Sequence, residues 1–227
     1  MTDLVWTAGS EPPRFTILLA HGAGAGHDSA FMQRMAEALA AEGAAVCRFD
    51  FPYMAERRTT GRRRPPPKAE TLVDAYAAVL EAALARPEAA GPVLVAGKSM
   101  GGRVAAMLAG RPLDPRVVGV ACLGYPFHPP GQPDALRLAP LREARLPVLV
   151  LQGERDEFGT YAEAGAIGLP AAVRLVAVED GSHDFGPRGQ SPATLKGNIR
   201  AAAAEIAAFA GAPSHGPAAK AEDPTEP

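Results

Sequence analysis

A serine flanked by glycines stands where an apolar stretch gives way to an alanine-rich one. Gly97, Lys98, Ser99, Met100 and Gly101 fit the pattern G-x-S-x-G. In that pattern the serine occupies a sharp strand-to-helix turn with its hydroxyl exposed. Such a hydroxyl attacks a carbonyl carbon once a neighbouring base removes its proton. A serine that only caps a helix fits the same five residues, so the pattern needs support from the rest of the chain.

An acid and a histidine follow in the order that such a serine requires. Asp156 comes after "PVLVLQG", with Glu154 and Glu157 as competing acids, and His183 comes after "AVRLVAV". A histidine titrates near neutral pH and can act as the base, while a carboxylate orients its ring and stabilises its cation. We therefore predict a triad of Ser99 as nucleophile, His183 as base and Asp156 as acid.

A glycine-rich loop, "HGAGAG", follows an earlier apolar stretch. Its glycines let the main chain turn amide groups inward, where they can stabilise the oxyanion that forms during attack. We predict Met100 N–H as one donor and Ala23 N–H as the other, with Gly22 as the alternative. The loop lacks the lysine and Ser/Thr of a P-loop and the full dinucleotide spacing, so we expect no nucleotide and no other cofactor.

A basic insert, "AERRTTGRRRPPPK", covers residues 55–68. Arg62, Arg63 and Arg64 are predicted to steer or clamp an anionic acyl or leaving group, and a solvated charged loop is the alternative. His128 is a candidate for the rim of the same pocket, although a surface loop explains it equally well. Because no aromatic platform accompanies the charges, nucleic acid is not expected as a partner.

The composition excludes several classes of protein. The chain has 227 residues and a formal net charge of −2, so no global field favours nucleic acid or an anionic membrane. We find no leader-like segment and no apolar run long enough to span a bilayer, and expect a cytoplasmic protein. Cys47 and Cys122 lie in apolar stretches and are expected to be free thiols. No C-x-x-C and no helical histidine pair points to a metal.

Alternating apolar and amphipathic segments predict the elements that position these residues. Strands are expected at 15–22, 44–51, 92–99, 117–125, 147–156 and 172–180, and helices at 29–42, 69–86, 100–109 and 192–210, with an edge strand near "DLVWTA". This order predicts a doubly wound, mostly parallel sheet with helices on both faces, whose ligands bind at the carboxyl ends of the strands. Residues 1–211 form the expected domain, and 212–227 an expected disordered tail.

Several stretches together resemble the α/β-hydrolases, and more narrowly the small bacterial hydrolases related to dienelactone hydrolases. They are "LAHGAGAG", "FPYM", "GRRRPPPKAE", "GKSMGGRVA", "CLGYPFHPPG", "LQGERDEFG" and "DGSHDF". The chain is also similar to the hydrolase-like domain of a mammalian testis-expressed protein and of a histone acetyltransferase complex subunit. The resemblance implies the same roles for Ser99, Asp156 and His183. It places any cap between Tyr125 and Pro147, where there is room for one short helix only.

We therefore expect a serine hydrolase that cleaves a small-molecule ester, thioester or lactone through an acyl-enzyme. Dienelactone hydrolases proper use cysteine as nucleophile, so their substrate does not transfer to a chain with Ser99. Two alternatives remain open. One is a non-catalytic interaction scaffold with a hydrolase fold, and the other is an acyltransferase that uses the same triad. The sequence leaves the substrate and the oligomeric state open.

Overall fold

One seven-stranded sheet organises the computed structural model, which describes residues 3–212. The strands are β1 (Val5–Thr7), β2 (Phe15–Ala20), β3 (Ala44–Phe49), β4 (Val93–Lys98), β5 (Val117–Leu123), β6 (Val148–Gly153) and β7 (Val173–Val178). Their order across the sheet is β1-β3-β2-β4-β5-β6-β7, and only β1 at the edge is antiparallel to its neighbour. The predicted doubly wound, mostly parallel sheet is thereby confirmed.

The parallel strands form where apolar residues run consecutively, because both faces of the sheet are covered by helices. Every residue of β2, β3, β4 and β6 is buried. All six predicted parallel strands end earlier than their predicted ranges. Polar residues such as His21, Asp50 and Ser99 leave the sheet there and build loops, which is where the candidate site lies.

Seven helices occur in the described part of the chain. They are α1 (Ala30–Ala41), α2 (Pro52–Thr60), α3 (Val73–Leu84), α4 (Met100–Leu108), α5 (Ala139–Glu143), α6 (Tyr161–Ala166) and α7 (Leu195–Gly211). The helices α1, α3, α4 and α7 correspond to the four predicted ranges. The helix predicted at 69–86 begins as a 3₁₀ turn at Ala69–Leu72. The short α5 is the one helix expected between Tyr125 and Pro147. The sequence analysis missed α2 and α6.

Helix α2 covers the first part of the basic insert at residues 55–68, where no helix was predicted. The helix starts with Pro52 in its first turn and ends at Thr60, and Gly61 caps it with a φ of 70°. Proline is favoured at the first helical position and glycine at a left-handed helix end. Arg57 and Arg58 therefore belong to a helix, and only residues 61–68 are irregular.

Two apolar clusters lie on opposite faces of the sheet. Leu18 of β2 packs with the cluster of α3 and α4, while Ile17 packs with the cluster of α1 and α7. Cys47 and Cys122 are buried free thiols in the first cluster, as predicted, and burial raises the pKa of Cys47 to about 12. No helix among the described residues has the length and apolar character needed to cross a membrane.

The hydroxyl of Tyr76 on α3 reaches the backbone of the two central strands. This fully buried group accepts a hydrogen bond from Ala96 N–H at 2.9 Å. Its own proton can be donated to Leu18 O or to Ala96 O, each at 2.7 Å. Tyr76 thus joins α3 to β2 and β4, which carry the glycine-rich loop and the candidate nucleophile at their ends.

Replacing Tyr76 with phenylalanine should lower the free energy of unfolding by about 1–3 kcal/mol, since buried backbone groups lose their partner without a change in side-chain volume. Urea denaturation followed by circular dichroism measures this change. Tyr161→Phe is the matched control, because Tyr161 is half-buried at the start of α6 and its hydroxyl makes no hydrogen bond to another described residue. Equal stability of the two variants would contradict the role assigned to Tyr76.

Candidate active site

Ser99 occupies a strained turn between β4 and α4. Its φ is 51° and its ψ −114°, a conformation that side chains other than glycine adopt at a cost of about 1–3 kcal/mol. The glycines around it allow the helix to start against the strand ends. A Cβ on Gly97 would lie 2.3 Å from Gly101 C, and one on Gly101 would lie 2.6 Å from His21 O. The turn expected for G-x-S-x-G is therefore present.

Asp156 and His183 meet beside the carboxyl ends of β6 and β7. His183 Nδ1 lies 2.8 Å from Asp156 Oδ2 and 2.9 Å from Oδ1. The carboxylate is buried and also accepts hydrogen bonds from Phe158 N at 2.9 Å and from Gln152 Nε2 at 3.0 Å. Because Nδ1 is engaged, Nε2 is the nitrogen left to exchange a proton.

The two competing acids do not hold His183. Glu154 Oε2 accepts a hydrogen bond from Asp180 N at 2.8 Å, and Glu157 is exposed. In the described part of the chain, Asp156 is the one carboxylate bonded to the His183 ring. The geometry thus favours Asp156 over both glutamates as the predicted acid.

Two contacts around this pair were not found from sequence. The Phe158 ring lies against the His183 ring, with centroids 4.3 Å apart and planes 37° apart. Gly124 after β5 has a φ of 65°, and a Cβ there would lie 3.2 Å from both Asp156 Oδ2 and His183 Nδ1. Both residues lie in stretches that carry the family resemblance, but each contact joins segments that are distant along the chain, so the local pattern did not indicate it.

Ser99 and His183 line one cavity of about 390 Å³, here named the histidine cavity. No hydrogen bond joins Ser99 Oγ to the imidazole among the residues that the structure describes. In ligand-free sites such bonds are often long and tighten when substrate binds. Lys98 Nζ pairs with Asp184 Oδ1 at 3.2 Å and so ties the residue before the serine to the residue after the histidine. Burial lowers the pKa of Lys98.

The glycine-rich loop is held by its carbonyl oxygens. His21 Nδ1 lies 2.6 Å from Gly22 O, and His21 Nε2 accepts a hydrogen bond from Phe51 N at 3.0 Å, so the ring is neutral with its proton on Nδ1. Burial lowers the pKa of His21, in agreement with the neutral form. Tyr53 Oη donates to Ala23 O at 3.0 Å or to Gly22 O at 3.3 Å.

This anchoring leaves the Ala23 amide without a partner among the described residues. Across a trans peptide the carbonyl and the next N–H point in opposite directions, so fixing Gly22 O turns Ala23 N–H the other way. Ala23 lines the histidine cavity with Ser99, and its N–H donates to no other described residue. A Cβ on Gly22 would lie 3.7 Å from Ser99 Cβ. Met100 begins α4, so its N–H has no partner one turn earlier.

The far end of the loop is fixed by a cluster of charges. Asp50 Oδ1 accepts a hydrogen bond from His27 N at 2.9 Å, and Asp50 Oδ2 accepts one from Arg58 Nε at 2.9 Å. Arg58 also binds Asp28, at 2.7 Å from Oδ2. Although burial opposes it, these hydrogen bonds lower the pKa of Asp50. Arg57 Nη1 donates to Gly24 O at 3.2 Å, so both arginines have structural partners.

The other predicted substrate contacts lie away from the serine. Arg62, Arg63 and Arg64 are exposed and line neither cavity next to Ser99. Arg64 pairs with Glu56 at 3.2 Å. His128 is buried, with Nδ1 2.8 Å from Pro129 O, and it lines neither cavity. The pairing with Glu56 holds Arg64 to α2, and the structure places none of these four side chains on the walls of either cavity. Their role in binding substrate stays a prediction.

A second cavity, the arginine cleft of about 800 Å³, shares Ser99, Ala23 and Phe158 with the first. Its remaining walls carry Arg103 and Arg137, two residues that sequence reasoning did not single out. Within residues 3–212 no group of three or more His, Cys, Asp or Glu side chains is arranged to hold a metal ion.

Comparison with known proteins agrees with this architecture. A family model described as "Alpha/beta hydrolase domain" matches residues 13–211. The chain is similar to a dienelactone hydrolase from Anabaena variabilis (22% identity, 92% of this chain and 90% of that chain, TM-score 0.66). It is also similar to a serine hydrolase without lid from Xanthomonas campestris (20% identity, 90% of this chain and 89% of that chain, TM-score 0.64). A third similar structure is Est1E from Butyrivibrio proteoclasticus with ferulic acid bound (16% identity, 90% of this chain and 94% of that chain, TM-score 0.62).

The structural likenesses show the fold, and the family match extends over nearly all of the described chain. The similarity to the two eukaryotic proteins stays a prediction. The fold without a large cap, the serine turn at the end of β4 and the match over residues 13–211 all agree. The chain belongs to the α/β hydrolase family.

Proposed function

We propose that this hydrolase cleaves a small ester, thioester or lactone through an acyl-enzyme on Ser99. The observation that carries the proposal is the buried Asp156 carboxylate held 2.8 Å from His183 Nδ1, with His183 and the strained Ser99 on one cavity. A serine hydroxyl is a weak nucleophile near neutral pH unless a base activates it. The His183 imidazole on that cavity is the proposed base, and the buried Asp156 carboxylate behind it is the proposed orienting acid.

The reaction proceeds in two halves. Ser99 Oγ attacks the carbonyl carbon while His183 Nε2 takes the hydroxyl proton, and the imidazolium is stabilised by Asp156. His183 then gives the proton to the leaving oxygen or sulfur, the bond to that atom breaks, and the acyl-enzyme remains. A water molecule next gives a proton to His183 and attacks the acyl carbon. The acid product leaves, and Ser99 regains its proton.

Ala23 N–H and Met100 N–H are the proposed oxyanion donors. The anchoring of Gly22 O by His21 and Tyr53 supports this role, because it holds the loop amide in place before substrate arrives. Each such donor contributes about 3–4 kcal/mol of transition-state stabilisation in enzymes of this kind. Their contribution is therefore comparable to that of the base.

A scaffold and an acyltransferase remain the alternatives. A pure scaffold has no need of a buried carboxylate aligned on a histidine next to a strained serine, so the Asp156–His183 contact favours catalysis. An acyltransferase needs the same groups and differs only in the acceptor that enters after the leaving group departs. Product analysis with and without added alcohols or thiols separates transfer from hydrolysis.

A fluorophosphonate probe should attach covalently to Ser99 and to no other serine, because among residues 3–212 this hydroxyl alone lies between the proposed base and the proposed amide donors. Mass spectrometry of the labelled peptide identifies the site. Ser99→Ala should abolish labelling and esterase activity while leaving the circular dichroism spectrum unchanged. Wild-type protein that neither labels nor cleaves activated esters would overturn the catalytic proposal in favour of the scaffold.

Asp156→Asn should lower kcat for 4-nitrophenyl acetate by about 10⁴-fold, the size of the effect in another Ser-His-Asp triad, because the amide misorients the imidazole and leaves its cation unsupported. Glu154→Gln and Glu157→Gln are the matched controls and should stay within about threefold of wild type. A severe loss in either control together with a nearly silent Asp156→Asn would reassign the acid and keep the mechanism.

A further inference from the structure

The arginine cleft carries an excess of positive charge. Lys68, Arg103 and Arg137 contribute three cations to its walls, and Glu70 contributes one carboxylate. The cleft starts at Ser99 and Met100, so a molecule bound in it reaches the proposed nucleophile. An anionic group is the ligand that this distribution of charge favours.

Arg103 uses only part of its hydrogen-bonding capacity. It lies on α4 one turn after Ser99, to whose carbonyl oxygen its own N–H donates at 3.1 Å. Its Nη2 binds Glu70 Oε1 at 2.6 Å, whereas its Nε is buried without a hydrogen-bond partner. Glu70 is more than half exposed, so water competes for its carboxylate and leaves much of the positive charge uncompensated.

Arg137 is fixed in position without a partner for its charge. Its backbone N–H donates to Phe127 O at 2.7 Å, and its carbonyl accepts from Tyr125 Oη at 2.7 Å. Its half-buried guanidinium forms no ion pair or hydrogen bond with any residue in the range 3–212. Burial and then the like charge of Arg103 lower the pKa of Arg137. The guanidinium groups of Arg103 and Arg137 thus line the same cleft.

The two cavities meet at Ser99 and offer separate space for the leaving group and the acyl group of a substrate. The leaving atom must receive a proton from His183, and His183 lines the histidine cavity but not the arginine cleft. This assigns the leaving group to the histidine cavity and leaves the arginine cleft for the acyl group in the proposed reaction. Met100 and Phe158 stand near Ser99 in that cleft and offer apolar surface to a short methylene chain before the arginines are reached.

We propose that Arg103 and Arg137 bind a carboxylate at the far end of the acyl group, so that the substrate is a half-ester or half-thioester of a dicarboxylic acid. This inference rests on the proposed function of Ser99 and names the acid part of its substrate. A carboxylate matches the planar guanidinium fork and forms charge-assisted hydrogen bonds with it. These two residues then take the role that the sequence analysis gave to Arg62, Arg63 and Arg64.

The experiment compares kcat/KM for mono-4-nitrophenyl glutarate and for its neutral methyl ester. Wild type should prefer the half-ester. Arg137→Gln should lower kcat/KM for the half-ester by about 10- to 100-fold, as expected when charge-assisted hydrogen bonds to a ligand are lost, and should leave the neutral ester within about twofold. Arg137→Lys keeps the charge and loses the planar guanidinium fork. Its kcat/KM for the half-ester should lie between the values of wild type and Arg137→Gln. The triple variant Arg62→Gln, Arg63→Gln, Arg64→Gln is the control and should keep the preference.

A binding measurement separates this inference from the proposed function. Glutarate should raise the melting temperature of Ser99→Ala, and Arg137→Gln in that background should remove the shift. No preference in wild type, equal losses for both esters in Arg137→Gln, or an unchanged glutarate shift would overturn the inference. Failure to label or to cleave any ester overturns the proposed function instead, while the glutarate shift still decides whether the cleft binds a carboxylate.

Discussion

The close packing of α4 against the strand ends fixes the position of Ser99, and the positions of the other groups of the site depend on it. Gly101 sits so near Ala20 and His21 that a side chain would meet their carbonyl oxygens at 2.7 and 2.6 Å. The contact that seats the helix therefore also brings the loop after β2 beside the serine. The strain at Ser99, with a φ of 51°, is tolerated because α4 is buried against β4 and β5. A looser helix would relax the turn and withdraw the hydroxyl.

Two buried carboxylates stabilise the site from opposite ends. Asp156 is satisfied by His183, Phe158 N and Gln152, and Asp50 by His27 N and Arg58. Burying a carboxylate is costly unless hydrogen bonds replace its water, so each acid orders the groups around it. Asp156 orders the His183 imidazole, and Asp50 orders the far end of the glycine-rich loop. Hydrogen bonds to these two carboxylates thus hold the loops beyond the strand ends, where the regular hydrogen bonds of the sheet stop.

The sequence predicted those parts of the molecule that follow from local pattern or from chain order. Consecutive apolar residues located the strands, and the rule that parallel strands present their carboxyl ends together placed Asp156 and His183 near Ser99. Contacts between distant segments carry no such signal, which is why Gly124 and Phe158 were missed. The run of arginines at 62–64 drew attention because it is dense, yet Arg103 and Arg137 line the cleft. A cluster of charged residues in the sequence therefore does not show that their side chains lie near the site in the folded protein.

The glycines around Ser99 have a consequence for how such a sequence is interpreted. A methyl group on Gly97, Gly101 or Gly102 would meet backbone atoms at 2.3, 2.6 and 2.7 Å, so folding alone excludes larger residues there. A descendant that lost its chemistry would still keep these glycines, because the sheet and helix could not meet without them. The glycines are therefore evidence for the turn alone, whereas the serine hydroxyl, the imidazole and the buried carboxylate are the groups on which the proposed reaction depends. Under the proposed function, a relative that keeps these glycines and lacks those three groups would be a scaffold and not an enzyme.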